Sequence, residues 1–135
     1  MTTPIENIKY TALFVDHPEK LIEQFPPKHI KVYGHHSTIQ FKPKNLDDLE
    51  LGKKSMLKII GRAFDDKGDV LFVINEKSKN EFAHITLSCT ENTPTMYSNE
   101  LLKKSYINGS LEMFDPVLIE VTEGYCDMDG KVTLN

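Results

Sequence analysis

The chain of 135 residues has a formal net charge of −4, from 16 Lys and Arg and 20 Asp and Glu. This length predicts one domain, residues 1–135, that can bury a core without disulfides or metal. Proteins that follow a nucleic-acid backbone usually have a basic face, whereas the lysines here are dispersed and Arg62 is the single arginine. The composition argues against tight binding of long duplex nucleic acid and leaves a small or terminal phosphate as a compatible substrate.

Nothing in the sequence predicts a membrane segment or a secreted protein. No apolar run is long enough to span a bilayer, and the first residues lack the basic and apolar regions of a signal peptide. The spacing of Cys89 and Cys126 matches no metal site or redox motif, so we expect buried free thiols. We therefore expect a cytoplasmic protein with no metal, no cofactor and no membrane partner. Its oligomeric state is left open.

The first part of the chain predicts two strands around a helix. Residues 9–15 (KYTALFV) are rich in aromatic and β-branched side chains, which favour a strand. Asp16 begins a capping box with a proline in the first turn, so a helix is expected to about residue 25, where Pro26-Pro27 end it. A second strand and then a loop are expected over residues 36–42 and 44–53.

The rest of the chain predicts a hairpin, further strands and a second short helix. Residues 65–69 (DDKGD) separate two apolar strands and contain the glycine that such a turn needs. A helix is expected over residues 98–104. The other predicted strands, and the last hairpin turn, cover residues 55–64, 70–74, 82–89, 110–114, 117–122 and 127–131. Many antiparallel strands with two short helices predict the α+β class.

Two copies of a His-x-Thr motif are the main functional signal. His36-Ser37-Thr38 and His84-Ile85-Thr86 begin 48 residues apart, each in a predicted strand. Because alternate side chains of a strand share a face, each copy places an imidazole and a hydroxyl side by side. A single His-x-Thr is more often a hydrogen-bonded pair on a strand surface than a catalytic pair. Two matching copies on two predicted strands favour a functional role for the motif.

Strand alternation also predicts the surroundings of each motif. It selects His36 over the adjacent His35 as the functional histidine, and it directs Ile39 and Phe41 toward the core. The polar faces are expected to carry His36, Thr38 and Gln40 in the first copy and His84, Thr86 and Ser88 in the second.

The chemistry that suits two such motifs is phosphodiester cleavage without metal. One neutral imidazole takes a proton from water while an imidazolium protonates the leaving oxygen, and a pKa near 6.5 makes both forms accessible. The two hydroxyls donate to non-bridging phosphate oxygens and hold the phosphorus between the imidazoles. The sequence does not assign base and acid between the two histidines.

The two motifs, each between apolar residues, resemble those of the two-histidine (2H) phosphoesterase superfamily. Within it, the segments most similar to the phosphodiesterase domain of tRNA ligases and its stand-alone relatives are "YTAL", "FPP", "VYGHHSTIQF", "HITLS" and "YSN". The resemblance covers roughly residues 9–102.

This resemblance implies a bilobed fold of two pseudo-symmetric antiparallel sheets, each supplying one His-x-Thr to a central cleft. It implies a hydrolase that opens 2′,3′-cyclic phosphates on RNA ends or nucleotides, typically to a 2′-phosphate, without metal. Carried over to this chain, His36 and His84 are the acid–base pair, and Thr38 and Thr86 hold the phosphate.

Four more residues are candidates for substrate binding, namely Tyr10, Tyr97, Ser98 and Asn99. An aromatic ring such as that of Tyr10 can stack on a base, although packing within the sheet is slightly favoured. Ser98 is equally suited to be a helix N-cap. The acidic residues at 47–48 and 65–69 lack the spacing of a calcium loop and are explained by turn chemistry.

Several functions stay open at this point. The first is the cyclic phosphodiesterase, with a cyclic di- or oligonucleotide signal, as in phage proteins that disarm host defence, as its alternative substrate. The second is a non-catalytic module that binds a nucleotide or RNA end. The third is a structural protein with accidental motifs, in which His36 and His84 would lie on opposite sides of the molecule.

Overall fold

A computed structural model describes residues 3–135 and gives the chain eight strands in one hydrogen-bonded sheet. The strands are β1 (Ile8–Val15), β2 (Lys31–Val32), β3 (His36–Phe41), β4 (Lys54–Phe64), β5 (Gly68–Ile74), β6 (His84–Cys89), β7 (Glu112–Asp127) and β8 (Val132–Thr133). Their order is β2-β6-β5-β4-β7-β1-β3, with β8 on β7, and each pair is antiparallel. With two helices, this confirms the α+β class.

The first helix, α1 (Pro18–Gln24), follows a short 3₁₀ turn (Ile5–Asn7) and β1. The predicted capping box is wrong, because the N-cap is His17 and no side chain caps the helix. The Asp16 carboxylate is used elsewhere: it accepts hydrogen bonds from Thr122 Oγ1 at 2.6 Å and from Lys54 Nζ at 3.3 Å. Asp16 therefore ties the end of β1 to β7 and β4.

The second helix, α2 (Tyr97–Asn108), is longer than predicted and begins one residue earlier. Met96 is its N-cap, so Ser98 lies inside the first turn and is not the cap. The helix ends at Gly109, whose φ of 79° is the left-handed conformation that glycine adopts without strain. Leu101 and Leu102 are buried against Ala63 and Val70 of the hairpin β4–β5.

The two strands predicted over residues 110–114 and 117–122 form one continuous strand, β7. Gly61 of β4 faces Met113 and Ile59 faces Val117, so the register shifts between these two pairs. Pro116 lies in the extra length of this irregularity, where a missing N–H costs no ladder hydrogen bond. A proline that reads as a strand break is therefore accommodated inside a strand.

The sheet curves back on itself because residues 31–41 bond to both of its ends. β2 pairs with β6 and β3 pairs with β1, and the buried Gly34 between them has a φ of 76°. This conformation disfavours any side chain. The curvature encloses one large core, formed by Leu13, Val15, Leu21, Ile39, Leu57, Ile59, Leu71, Val73, Ile85, Leu87 and Val121. Each such side chain contributes about 1.5–3 kcal/mol to folding when fully buried.

The acidic cluster of the β4–β5 turn has two structural roles. Asp65 Oδ1 accepts hydrogen bonds from the backbone N–H groups of Lys67 and Gly68, which is the predicted turn chemistry. Asp69 is instead fully buried, and its carboxylate receives Nε and Nη2 of Arg62 at 2.9 and 3.0 Å. The single arginine of the chain is thus part of a buried ion pair.

The cysteines are free and buried, as predicted. In the part of the chain that the structure describes, no helix is long and apolar enough to cross a membrane.

Candidate active site

The two His-x-Thr motifs lie at a fork between β3 and β6. Here the segment after β2 is hydrogen-bonded to β6 as far as Gly34, and from His36 onward it pairs with β1 instead. The Gly34 N–H donates to the carbonyl of Thr86 at 2.9 Å, in continuation of the antiparallel β2–β6 pair. Two residues further in this register, His36 would stand opposite His84. At that point, however, His36 pairs with Phe14 of β1. The two motif histidines therefore lie on the two sides of the fork.

Both imidazoles are on the outer side of the curved sheet. On β6, Ile85 belongs to the core, so His84 before it faces away from the core. On β3, Ser37 is fully buried while His36 is half-buried on the opposite face. The alternation inferred from the sequence thus agrees with the structure at both histidines.

His36 rests against two aromatic rings of β1. Its ring stacks on Tyr10 with centroids 4.6 Å apart and lies 5.7 Å from Phe14. The Tyr10 hydroxyl is 3.5 Å from Nδ1 of His36, too far to fix the tautomer. Burial raises the pKa of Tyr10, so its hydroxyl keeps its proton.

The surroundings of His36 favour its neutral form. Burial is the largest cause and the positive charges of His35, His84 and Lys9 add to it, so the pKa falls from 6.5 to about 4. The charge of His84 is one of these causes, so a protonated His84 disfavours a proton on His36. A negative group between them would remove that repulsion.

His84 has a fixed tautomer. Its Nδ1 lies 2.8 Å from the carbonyl oxygen of Phe82, which can only accept, so Nδ1 carries the hydrogen. Nε2 is then the nitrogen available for chemistry. Burial lowers the pKa of His84, and the Phe82 carbonyl opposes this by stabilising the imidazolium.

The threonines accompany their histidines in different settings. Thr86 Oγ1 lies 2.8 Å from Ser98 Oγ of α2, which connects the second motif to the start of that helix. Thr38 faces Ala12 of β1 on the outer side. Beneath it, Asn75 Nδ2 donates to Ser37 Oγ at 3.1 Å, which ties β3 to the end of β5.

The remaining candidates, Tyr97 and Asn99, have other contacts. The Tyr97 hydroxyl donates to Asp65 Oδ2 at 2.5 Å, and Lys104 Nζ donates to the same carboxylate at 2.6 Å. Burial raises the pKa of Asp65, but these hydrogen bonds and the backbone outweigh it and hold the pKa well below its usual range. Tyr97 thus lies by the β4–β5 turn, at the other end of β6 from His84. Asn99 is exposed, and its amide contacts the Met96 carbonyl at 3.4 Å.

A β-bulge at Ile39 changes the faces of the residues that follow it. Ala12 faces Thr38, but the next residue back, Thr11, faces Gln40, so one residue of β3 is extra. Gln40 therefore shares the inner face with Thr11 and not the face of His36, and Phe41 turns outward with 59% of its surface exposed. The predicted positions of Gln40 and Phe41 are both wrong for this reason.

A cavity of about 370 Å³ lies on the inner side of this bulge, away from the histidines. Gln40 and Thr11 line it, and part of the predicted loop 44–53 covers it. Lys77 holds this loop by donating to the carboxylates of Glu50 at 2.7 Å and the buried Glu123 at 2.8 Å. The predicted loop is therefore fixed over a cavity that is separate from the fork.

The sequence did not mark three residues as part of the site: Phe14 and Lys9, which act on His36, and Phe41, which stands opposite Tyr10. Phe14 follows Tyr10 by four residues on the same strand, a spacing that places both on one face and was a usable signal. Lys9 and Phe41 had no such signal. Lys9 acts through its charge across strands, and Phe41 depends on the bulge.

Across residues 3–135, no three His, Cys, Asp or Glu side chains converge to form a metal site. No protein-family model matches the sequence, and no curated protein matches it.

Proposed function

We propose that this protein is a metal-independent phosphodiesterase that opens 2′,3′-cyclic phosphates of RNA ends or nucleotides with His36 and His84. The observation that supports this most is the position of the two imidazoles on the outer face of one fork, where the charge of His84 lowers the pKa of His36. A hydroxyl stands beside each of them, on Thr38 and Thr86. A phosphate between the imidazoles would meet the donors that in-line cleavage needs.

The different environments support a division of roles. His36, with a pKa of about 4, is the general base: it accepts a proton from water as the water oxygen forms a bond to phosphorus. His84 is the general acid: its Nε2–H gives a proton to the ribose 3′ oxygen as the bond from that oxygen to phosphorus breaks. The product carries a 2′-phosphate. The Phe82 carbonyl holds the His84 ring and favours its imidazolium form.

The substrate itself contributes to this arrangement. A phosphate anion beside a histidine favours the charged ring and raises its pKa. The two buried imidazoles are expected to be largely neutral before binding at neutral pH, and His84 gains its proton as the anion arrives. Thr38 and Thr86 donate to the non-bridging oxygens and fix the phosphorus between the two rings.

The proposal also includes the bilobed fold that the resemblance to 2H phosphoesterases implies. One half would be β1, β3 and β7 with the first motif, and the other β4, β5 and β6 with the second. The position of the motifs on β3 and β6, on opposite sides of the fork, supports this division. The long strand β7, which pairs with both β1 and β4, would join the halves.

The test is turnover of 2′,3′-cyclic nucleotides in EDTA. His36→Ala and His84→Ala should each lose about 10²–10⁴ of the rate, the usual contribution of a general acid or base. His35→Ala is the matched control, because it removes an exposed imidazole next to His36, and it should stay within a few-fold of wild type. Wild-type rates in both motif variants would refute the proposal. Binding of the nucleotide without any product would favour the non-catalytic module.

A further inference from the structure

The bulge at Ile39 places an exposed aromatic ring on the same face as the histidine pair. Phe41 faces Tyr10 across β1–β3, just as His36 faces Phe14. The Tyr10 ring also stacks on the His36 ring, with centroids 4.6 Å apart, so Tyr10 links Phe41 to the first histidine. With 59% of its surface exposed, this large apolar side chain has no structural role in the core.

One lysine follows this ring in the chain, and a second lies on the neighbouring strand β1. The Lys42 N–H donates to the Lys9 carbonyl at 2.7 Å, which holds the two residues side by side. Lys42 Nζ lies 5.7 Å from the centre of the Phe41 ring, and the charge of Lys9 reaches His36. In a chain of net charge −4, an aromatic ring with one lysine beside it and another on the neighbouring strand suits a base and its phosphate.

The backbone of Lys42 is also unusual. Its φ of 47° is the only positive value at a non-glycine residue among those that the structure describes. This conformation is disfavoured for a lysine by about 1–2 kcal/mol. Strained residues concentrate at functional sites, so the position of Lys42 agrees with a binding role.

We propose that Phe41, Lys9 and Lys42 form a second nucleotide subsite, which makes an oligonucleotide the preferred substrate. This inference rests on the proposed function, because it takes the reacting phosphate to lie between His36 and His84. Phe41 stands opposite Tyr10, on which the His36 ring stacks, so a base on Phe41 lies beyond the nucleotide that reacts. Phe41 stacks on that base, and the lysines bind the phosphates that lead to it.

Two kinds of oligonucleotide share this chemistry. One is a linear RNA that ends in a 2′,3′-cyclic phosphate, and the other is a cyclic oligonucleotide. The substrates to compare are a 2′,3′-cyclic mononucleotide, a short linear RNA with a cyclic end, and a cyclic di- and trinucleotide. The oligonucleotide with the higher kcat/KM identifies whether a linear or a cyclic oligonucleotide is the preferred substrate.

The decisive variant is Phe41→Ala, measured as kcat/KM on each substrate. Stacking of one base on an aromatic ring is worth about 5- to 100-fold, so kcat/KM should fall by that factor more for the oligonucleotide than for the mononucleotide. Phe41→Trp should restore the preference. An equal effect on all substrates, or none on any, would overturn the subsite.

The chain offers a matched control in Phe64. This side chain is 53% exposed and lies 4.7 Å below Lys28 Nζ, so it repeats the same pairing of ring and cation. It ends β4 at the β4–β5 turn, on the opposite end of the sheet from His84. Phe64→Ala should leave kcat/KM for every substrate unchanged.

Failure of the subsite and failure of the proposed function can be told apart. If wild type turns over none of the substrates, the phosphodiesterase is refuted, and binding of RNA with a 3′-phosphate is then measured by fluorescence anisotropy. Weaker binding of the RNA by Phe41→Ala than by Phe64→Ala would still support the subsite. Equal binding by the two variants would reject it. If kcat/KM for the mononucleotide equals that for every oligonucleotide, only the subsite is rejected.

Discussion

At the scale of single residues, the site is asymmetric. His36 is surrounded by aromatic rings and positive charges, whereas His84 has a carbonyl oxygen on its Nδ1. The surroundings of His36 disfavour its protonated form, whereas the carbonyl beside His84 partly offsets the effect of burial on that histidine. Two copies of one motif thus provide two different acid–base groups, which is what general acid–base catalysis requires.

Under the proposed function, this asymmetry predicts the pH dependence of kcat/KM, a quantity that reports the protein before it binds substrate. The base must be neutral, so the rate should rise with pH through the pKa of His36, about 4. The acid must be protonated, so the rate should fall as pH passes the pKa of His84, which burial lowers from 6.5. We expect a bell-shaped profile with its maximum between about pH 4 and 6.5, measured on a cyclic mononucleotide.

His35 provides the check on this profile. Its positive charge lowers the pKa of His36, so His35→Gln should move the acidic limb to higher pH and leave the alkaline limb in place. If the acidic limb stays in place, that limb does not report His36, and the low pKa assigned to His36 is contradicted.

At the scale of elements, Gly34 is the residue on which the fork depends. Its left-handed φ of 76° turns the chain from β6 to β1. A Cβ there would meet Leu21, Ile22 and Leu87 at 3.6–3.7 Å, which is ordinary contact, so conformation and not space excludes other residues.

Gly34→Ala should therefore lower the free energy of unfolding by about 1–2 kcal/mol, measured by urea denaturation. It should also reduce turnover, because the strained residue moves His36 relative to His84. Gly109→Ala is the control, since its φ is 79° and no atom lies within 4 Å of the added Cβ. The control should cost similar stability without loss of turnover. Equal turnover in both variants would contradict the role assigned to Gly34.

Strands β1 and β3 to β6, and the histidine faces, were predictable because they depend on local alternation. His36 and His84 each follow from the period of two along one strand. The positions of Gln40 and Phe41 were not predictable, because the bulge at Ile39 is set by pairing with β1. The Thr86–Ser98 hydrogen bond joins a strand to a helix, and no local pattern in the sequence marks such a contact.

At the scale of the whole molecule, the buried neutral histidines make stability depend on pH. In the folded chain the pKa values of His36 and His84 lie below the 6.5 of an unfolded chain. The unfolded state therefore binds more protons between pH 6.5 and about 4, and stability is lost as the pH falls through this window.

The free energy of unfolding, from urea denaturation at pH 7.5 and pH 5, should thus be lower at pH 5. In His36→Gln the difference between the two pH values should be smaller, because one of the two buried imidazoles is absent. Identical differences in wild type and variant would show that His36 does not resist protonation in the folded state.

The turn at Gly34 also affects how the sheet meets other molecules. The end strands of an open sheet expose backbone groups that can pair with another chain and start aggregation. Here the strand at one end, β2, has only two residues, and the same segment of chain continues into the strand at the other end, β3. Beyond Gly34, residues that follow β5 cover the edge of β3: the Lys79 N–H donates to the Ile39 carbonyl at 2.7 Å, and Asn75 Nδ2 donates to Ser37 Oγ at 3.1 Å. The turn at Gly34 and these contacts therefore shield both ends of the sheet from edge-to-edge association.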